Sequence, residues 1–245
     1  FGVIVGQLFS FSILIKNFIK KDGSVHKCIH HTAIKNVLRE YIKFPKFLLL
    51  GQLSNNLSRN LQVILLGVFF GPAIAGYFAL SQRVLAAPMT LVTGAVGEVY
   101  KVEASILYRK DGNCLQLYLK LVKTLAIYAL IPSLPILFFG PWLFVIVFGE
   151  VWRTSGQIAS ILAIMIFFQS ISVPLAHTVL LAGLQKIDMY WQFLRLFFSV
   201  GSFWLGFNFF SSYNVAITLY VFSFSFLYLL HSMIQYFAAN GSFKK

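Results

Sequence analysis

Hydrophobic stretches long enough to cross a bilayer recur along most of this chain, and the charged residues crowd into the gaps between them. A membrane helix needs about 20 mostly apolar residues. On that measure apolar spans run over residues 1–15, 47–70, 74–99, 115–139, 155–180, 187–209 and 215–237, seven in all with the first cut short. Composition agrees, because 58% of the residues are apolar and 11% charged, with 27 Phe. A soluble domain is about half apolar and a quarter charged. The expected fold is all-α, a polytopic transmembrane helix bundle. Leu143–Phe148 is apolar but too short to cross, so it either extends the fourth span or lies at the interface.

The net charge of +13 does not point to nucleic acid, because the basic residues sit in short loops beside apolar spans, where they face headgroups and hold loops in the cytoplasm. Lys16 to Lys46 is strongly basic, residues 71–73 are uncharged, and Lys101 to Lys123 is basic again. The next gap offers Glu150 and Arg153, Lys186 marks the following turn, residues 211–214 are uncharged, and the chain ends in Lys244–Lys245. This alternation is what consecutive crossings require under the positive-inside rule. It brings the first span in from outside and leaves the C-terminus cytoplasmic. The expected organisation is a truncated span at 1–15, a basic cytoplasmic loop at 16–46 and a six-span bundle at 47–245. Within the loop Ile29, Ala33, Ile34, Val37, Leu38, Tyr41 and Ile42 recur at helical spacing, as in an amphipathic helix lying on the membrane, which Pro45 ends. The opening at Phe1, without a basic n-region, is not a signal peptide; the expectation is a larger protein with an odd number of crossings upstream. Cys28 and Cys114 fall on the cytoplasmic side, where disulfides are rare. His26, His30 and His31 lack a nearby carboxylate set, so no metal site is expected.

Polar residues inside the spans are the candidate site. In the second span Gln52, Asn55, Asn56, Arg59, Asn60 and Gln62 interrupt apolar sequence. Asn55, Arg59 and Gln62 share one helix face, and Gln52 falls on the same side. An Arg at mid-membrane costs about 2.5–3.5 kcal/mol on insertion scales, so Arg59 reads as facing a hydrated cavity that receives an anion. The other reading is a helix contact in which it donates to carbonyls. Arg83 in the third span, beside Ser81 and Gln82, precedes Pro88; snorkelling to the outer surface is its alternative. Pro132 and Pro135 should kink the fourth span. Secondary candidates are Gln169 and His177 in the fifth span, and Gln192 and Arg195 in the sixth, which form a stripe with Ser199 and Ser202. Arg195 is close enough to the cytoplasm to snorkel, and His177 reads better as a packing residue than as a titrating one. Trp142, Trp152 and Tyr213 read as outer interfacial anchors, Tyr190 and Trp191 as inner ones. The seventh span, Phe-rich with Ser and Tyr hydroxyls, reads as a peripheral, lipid-facing helix. Nucleotide loops, paired-His metal sites and nucleophile elbows do not occur; no catalytic residue is expected and the protein reads as no enzyme.

Several blocks carry a resemblance: Phe44–Pro45, then Leu65-Leu66-Gly67, Phe70-Gly71-Pro72, Ala75-Gly76-Tyr77-Phe78-Ala79-Leu80, Arg83-Val84-Leu85 and Pro88. Phe139-Gly140-Pro141, Phe148-Gly149 with Trp152, and Ala182-Gly183-Leu184-Gln185-Lys186 extend it. In these the chain resembles the bacterial polysaccharide flippase family (O-antigen, capsule and exopolysaccharide exporters) of the multidrug/oligosaccharidyl-lipid/polysaccharide exporter superfamily. The resemblance implies the C-terminal portion of a larger two-bundle exporter in the bacterial inner membrane. It implies a polyprenyl-pyrophosphate-linked glycan as cargo, with membrane lipids and glycan assembly proteins as partners, and translocation rather than chemistry. By resemblance Arg83 is the family-motif arginine. No cofactor is implied. Coupling to protons or sodium is implied, and no acidic residue reads as sitting at mid-membrane to carry it. A multidrug-type exporter would share the architecture, with carboxylates or aromatics lining the cavity rather than Arg, Asn and Gln. A membrane-bound glycan polymerase or ligase would need a large outer loop, and a purely structural protein leaves Arg59 unexplained.

The orientation is testable. In a background without native cysteines, single cysteines at Lys35, Asn113 and Ser242 are expected to be shielded from an impermeant thiol reagent in intact cells, and one at Ser212 labelled. Labelling at Asn113 with protection at Ser212 reverses the orientation.

Overall fold

The structure, a computed structural model, describes residues 6–7, 9–14, 16 and 43–242, with their side chains except those of 43–49, 51, 52, 54, 55, 58 and 59. The chain divides into two units, residues 1–46 and 47–245. In the first, residues 6–7, 9–14 and 16 are helical; the expected amphipathic helix, Cys28 and the His26–His31 cluster lie outside the described residues.

The second unit is a helical bundle. The elements from Lys43 onward are α1 (Lys43–Phe70), whose first four residues belong to the first unit, α2 (Pro72–Asp111), α3 (Leu115–Phe148), a 3-10 turn at Glu150–Trp152, α4 (Arg153–Ser172), the short α5 (His177–Leu181), α6 (Gln185–Asn208) and α7 (Tyr213–Ala239). Long helices thus stand where the six later spans are expected. Three helical stretches, Leu115–Phe148, Glu150–Leu181 and Tyr213–Ala239, are long and apolar enough to cross a membrane. Two of the others, α2 and α6, carry the polar side chains described below. Pro45 falls in the first turn of α1, where a missing N–H leaves no helical bond unmade. Leu143–Phe148 extends α3.

Two boundaries differ from the sequence expectation. The basic stretch from Lys101 is not a loop at its start: α2 continues to Asp111, where Gly112 takes the left-handed conformation (φ 75°) and its N–H returns to the Tyr108 carbonyl. Arg109 and Lys110 in that last turn favour the helix C-terminus. The fifth span breaks at its C-terminal end. Pro174 has no N–H to offer a helix, and residues 173–176 turn before α5 begins.

The turns sort by charge. Cys114 N–H donates to the Ala239 carbonyl at 2.8 Å, which docks the end of α7 on the basic α2–α3 turn. Cys114 is buried, and burial pushes its thiol up from the ordinary range. At the other end Phe69 stacks on Phe207 at 4.9 Å and Tyr77 meets Trp152 edge-on. Glu150 and Arg153 at that end neutralise each other through a two-pronged pair of 2.6 and 3.1 Å.

α4 is the central helix, packed against α2, α3 and α7, while α6 pairs with α7. Its buried face includes Ile158, Leu162 and Met165, which join Phe78, Phe203, Tyr220 and Phe224 in the main apolar core. The α3–α4 crossing is tight because glycines face each other. A Cβ on Gly156 would lie 2.5 Å from Pro141 Cα and 2.6 Å from the Gly140 carbonyl oxygen. Small residues that admit such backbone approach are what membrane helices use in place of a hydrophobic drive.

The seventh span is not peripheral. α7 buries Ile217, Tyr220, Phe224, Leu227 and Tyr228 in the core, and buries His231 and Gln235 as well. Phe222, Phe226, Tyr236 and Phe237 are its exposed rings. Pro88 and Pro132 line a separate, apolar cavity of about 280 Å3 between α2 and α3.

Gly156→Ala is expected to cost about 1–3 kcal/mol by overpacking the crossing. Gly201→Ala, where a Cβ meets open space inside α6, is the control and is expected to keep or slightly raise the melting temperature in detergent. Equal melting of the two variants rejects the crossing as a stability determinant.

Candidate functional site: two polar cavities that meet at Arg195

The polar side chains of the bundle converge on α6. Asp188, Gln192, Arg195, Ser199 and Ser202 recur every three or four residues, so they share one face. Gln192, Arg195, Ser199 and Ser202 are all buried, Arg195 with 5% of its surface exposed. The stripe read from the sequence is therefore the inward face of α6, and Arg195 does not snorkel. Depth along the helix leaves the direction open in sequence; the pairing with α7 decides it.

A chain of hydrogen bonds holds the buried cation. Asp188 lies one turn before Gln192 on the same face, within electrostatic reach of both Gln192 and Arg195. The Gln192 Oε1 accepts from Arg195 Nη1 at 3.3 Å, and Arg195 Nη2 donates to the Tyr228 hydroxyl at 3.1 Å. With Oε1 taken up by Arg195, the Gln192 amide nitrogen is the atom left to face Asp188. Gln192 thus stands between a carboxylate and a guanidinium. The guanidinium also lies 5.4 Å from the ring centres of Phe224 and Tyr228, at cation–π distance.

Arg195 lines two cavities. The larger, about 560 Å3, is walled by α2, α5, α6, α7 and the turn at Pro174, and includes Glu98, Lys101, His177, Asp188, Gln192 and His231. The smaller, about 210 Å3, lies deeper in the bundle among Gln62, Gln82, Gln169, Arg195, Tyr220 and Tyr228. Here Gln82 Nε2 donates to Gln62 Oε1 at 2.6 Å, linking α1 to α2.

The structure thus brings Gln62, Gln169 and Arg195 to one cavity, and His177, Gln192 and Arg195 to the other. Gln62 is 3% exposed, so α1 does turn a polar side chain inward. Asn56 and Asn60 are exposed, and Asn60 donates to its own helix at the Asn56 carbonyl. The side chains of Gln52, Asn55 and Arg59 lie outside the described residues. Arg83 is exposed and lines neither cavity; its neighbour Gln82 does, and Ser81 is buried, donating to the Ser155 carbonyl at 2.7 Å.

Sequence reading passed over Asp188, His231 and Gln235. Asp188 continues the α6 stripe by one turn, so its period was a usable signal. His231 and Gln235 are four residues apart on α7, a spacing masked by the surrounding Phe. Trp191 is another correction. It is buried, stacked on His231 with ring centres 4.5 Å apart and planes at 7°, instead of anchoring at the interface. Tyr190 and Trp142 are exposed, as anchors need to be. Among the described residues no group of three His, Cys, Asp or Glu is disposed to hold a metal ion.

An apolar helical bundle with membrane-length helices around polar cavities defines a multi-pass integral membrane protein. A family model described as "Polysaccharide biosynthesis protein" matches residues 3–157, more than half of the chain, and the chain belongs to that family. It is similar to the teichuronic acid biosynthesis protein TuaB of Bacillus subtilis, 24% identical over 162 residues. That similarity covers 63% of this chain and 32% of the relative, so the chain matches about a third of TuaB's length. No solved structure matches the chain.

The role of Asp188 as counter-ion has a stability consequence. Arg195→Met removes the cation near the half-buried Asp188 and leaves Gln192 and Tyr228 without their partner, and is expected to destabilise by about 1–3 kcal/mol. The double variant Asp188→Asn/Arg195→Met should recover more than half of that in thermal unfolding. Additive losses refute the pairing.

Proposed function

We propose that this protein moves a lipid-linked oligosaccharide or polysaccharide repeat unit across the bacterial cytoplasmic membrane, with its C-terminus on the cytoplasmic side. The observation that carries the reading is the buried Arg195, set among Gln192, Gln62, Gln82 and Gln169 inside an apolar bundle. Membership of a polysaccharide biosynthesis family supports it. Sugar hydroxyls and a diphosphate cross hydrocarbon only if their hydrogen bonds and charges are replaced. Amides and a fixed cation in a hydrated path replace them, and alternating access then needs no covalent step. The cargo is a polyprenyl-pyrophosphate-linked glycan; its lipid tail stays in the bilayer, and glycan assembly proteins act before and after.

Within this reading the exposed Arg83 and the α1 residues Gln52, Asn55, Asn56 and Arg59 line the anionic part of the path. The carboxylates of the larger cavity bear on the multidrug alternative. Glu98 lies 3.6 Å from Lys101, and Asp188 lies within electrostatic reach of Arg195. Both carboxylates are thereby compensated, which leaves no net negative charge to attract a cationic drug.

Arg59→Ala in the full-length protein is expected to lower surface glycan with membrane abundance unchanged, and Arg59→Lys to retain part of the activity, since it keeps the charge and loses the planar fork. The measurement is surface polysaccharide normalised to protein level. Undiminished export by the alanine variant removes Arg59 from the mechanism, and an equal fall in protein level assigns it to packing.

A further inference from the structure

Three glutamines from three helices line the smaller cavity, Gln62 on α1, Gln82 on α2 and Gln169 on α4. Their amides carry more hydrogen-bonding groups than they use. An amide has two N–H donors and a carbonyl oxygen with two lone pairs. Gln62 and Gln82 share a single bond, Gln82 Nε2 to Gln62 Oε1 at 2.6 Å. Turning one amide over alone would set two nitrogens or two oxygens together, and turning both over leaves the same groups spare. Three N–H groups and one whole carbonyl of this pair therefore stay unused. The Gln169 amide makes no hydrogen bond among the described residues. The buried polar atoms that lack both a partner and access to solvent belong to other residues. The spare atoms of these three amides are thus open to the cavity. Gln82, Ala86 and Gln169 are themselves partly exposed, so the cavity opens on the bundle surface. Its volume of about 210 Å3 is more than ten times the roughly 10–15 Å3 that one water requires.

We propose that the smaller cavity takes the acetamido group of an N-acetylated amino sugar, held by Gln62, Gln82 and Gln169. The inference rests on the glycan reading above and names the sugar class of that cargo. An acetamido group carries one N–H and one C=O, the set that the spare amide groups complement. Amide pairs with amide through the same N–H to oxygen contact that Gln82 and Gln62 already make. The acetyl methyl needs an apolar wall, and Ala86, Met165 and Ile166 line the same cavity.

Charge separates this ligand from its close relatives. Arg195 is the one charged side chain that lines the cavity among the described residues, and its Nη1 and Nη2 are engaged with Gln192 and Tyr228. A fixed cation opposes the ammonium of a free amino sugar, whereas the N-acetylated form is neutral. A hydroxyl in place of the acetamido group reaches fewer of the amides and leaves the apolar wall uncovered.

Saturation-transfer NMR on the full-length protein tests this. The probes are the methyl glycosides of N-acetylglucosamine, N-acetylgalactosamine, glucose, glucosamine and glucuronic acid. At least one of the two N-acetylated glycosides is expected to receive saturation most strongly at its acetyl methyl. It should exceed the other three by at least about threefold, the affinity ratio for one neutral hydrogen bond. Equal or greater transfer to glucoside, glucosaminide or glucuronide, or no transfer to any probe, overturns the proposal. Gln169→Leu removes an amide that has no bond to lose in the free protein. It should lower the acetyl-methyl transfer, and surface glycan normalised to abundance, each by about threefold. Unchanged transfer in that variant also overturns the proposal, and if the variant fails to accumulate the comparison of the five glycosides decides alone. Acetamido-selective binding by a protein whose deletion leaves surface glycan unchanged supports the site and rejects translocation. Surface glycan lost on deletion, without acetamido selectivity, does the reverse.

Discussion

A guanidinium buried in an apolar helical bundle is the constraint around which the interior is arranged. Stripping a cation of water costs several kcal/mol even after relaxation, and Arg195 is almost wholly enclosed. Asp188, Gln192 and Tyr228 each meet part of that cost, and Phe224 and Tyr228 add their ring faces. These partners come from α6 itself and from α7, so the hydrogen-bond chain also fixes how those two helices pair. Apolar side chains cannot cover the polar groups without leaving them unsatisfied, and cavities remain on both sides of the arginine.

The rest of the bundle supplies rigidity to that centre. α4 holds α2, α3 and α7 together, and its glycine-lined crossing with α3 lets two backbones meet without side chains between them. The end of α7 is pinned to the α2–α3 turn through Cys114 and Ala239. That pin lies close in sequence to Gln235 and His231, which reach back to Ser172 at the end of α4. The turn at Pro174 and Gly97 on α2 both line the larger cavity.

Much of this was legible. The α6 stripe of Gln192, Arg195, Ser199 and Ser202 follows from period alone, and all four are buried. Gln62 reads as an inward polar residue and is one. The positions of the long helices follow from apolar run length. The errors have a common cause, since residues near a helix end look alike whether they face headgroups or a neighbouring helix. Arg195 reads as a snorkelling cation and Trp191 as an interfacial anchor, yet both turn inward against α7. The Phe content of α7 reads as a lipid-facing surface, but Phe224 is core and Phe222 is exposed two residues away. Hydrophobicity cannot tell lipid from protein, because both are apolar solvents for a side chain.

The sequence by itself determined that the chain is a set of membrane-length helices, where most of them lie, and which residues would be expensive to bury. Those properties depend on local apolar content and on a period of 3.6 residues, both written along the chain. The tertiary structure decided which polar groups meet: Asp188 with Arg195 through Gln192, Gln62 with Gln82, and His231 with Gln235 and Ser172. Two of these contacts join residues on different helices, and only helix packing sets the rotation and depth at which such faces come together.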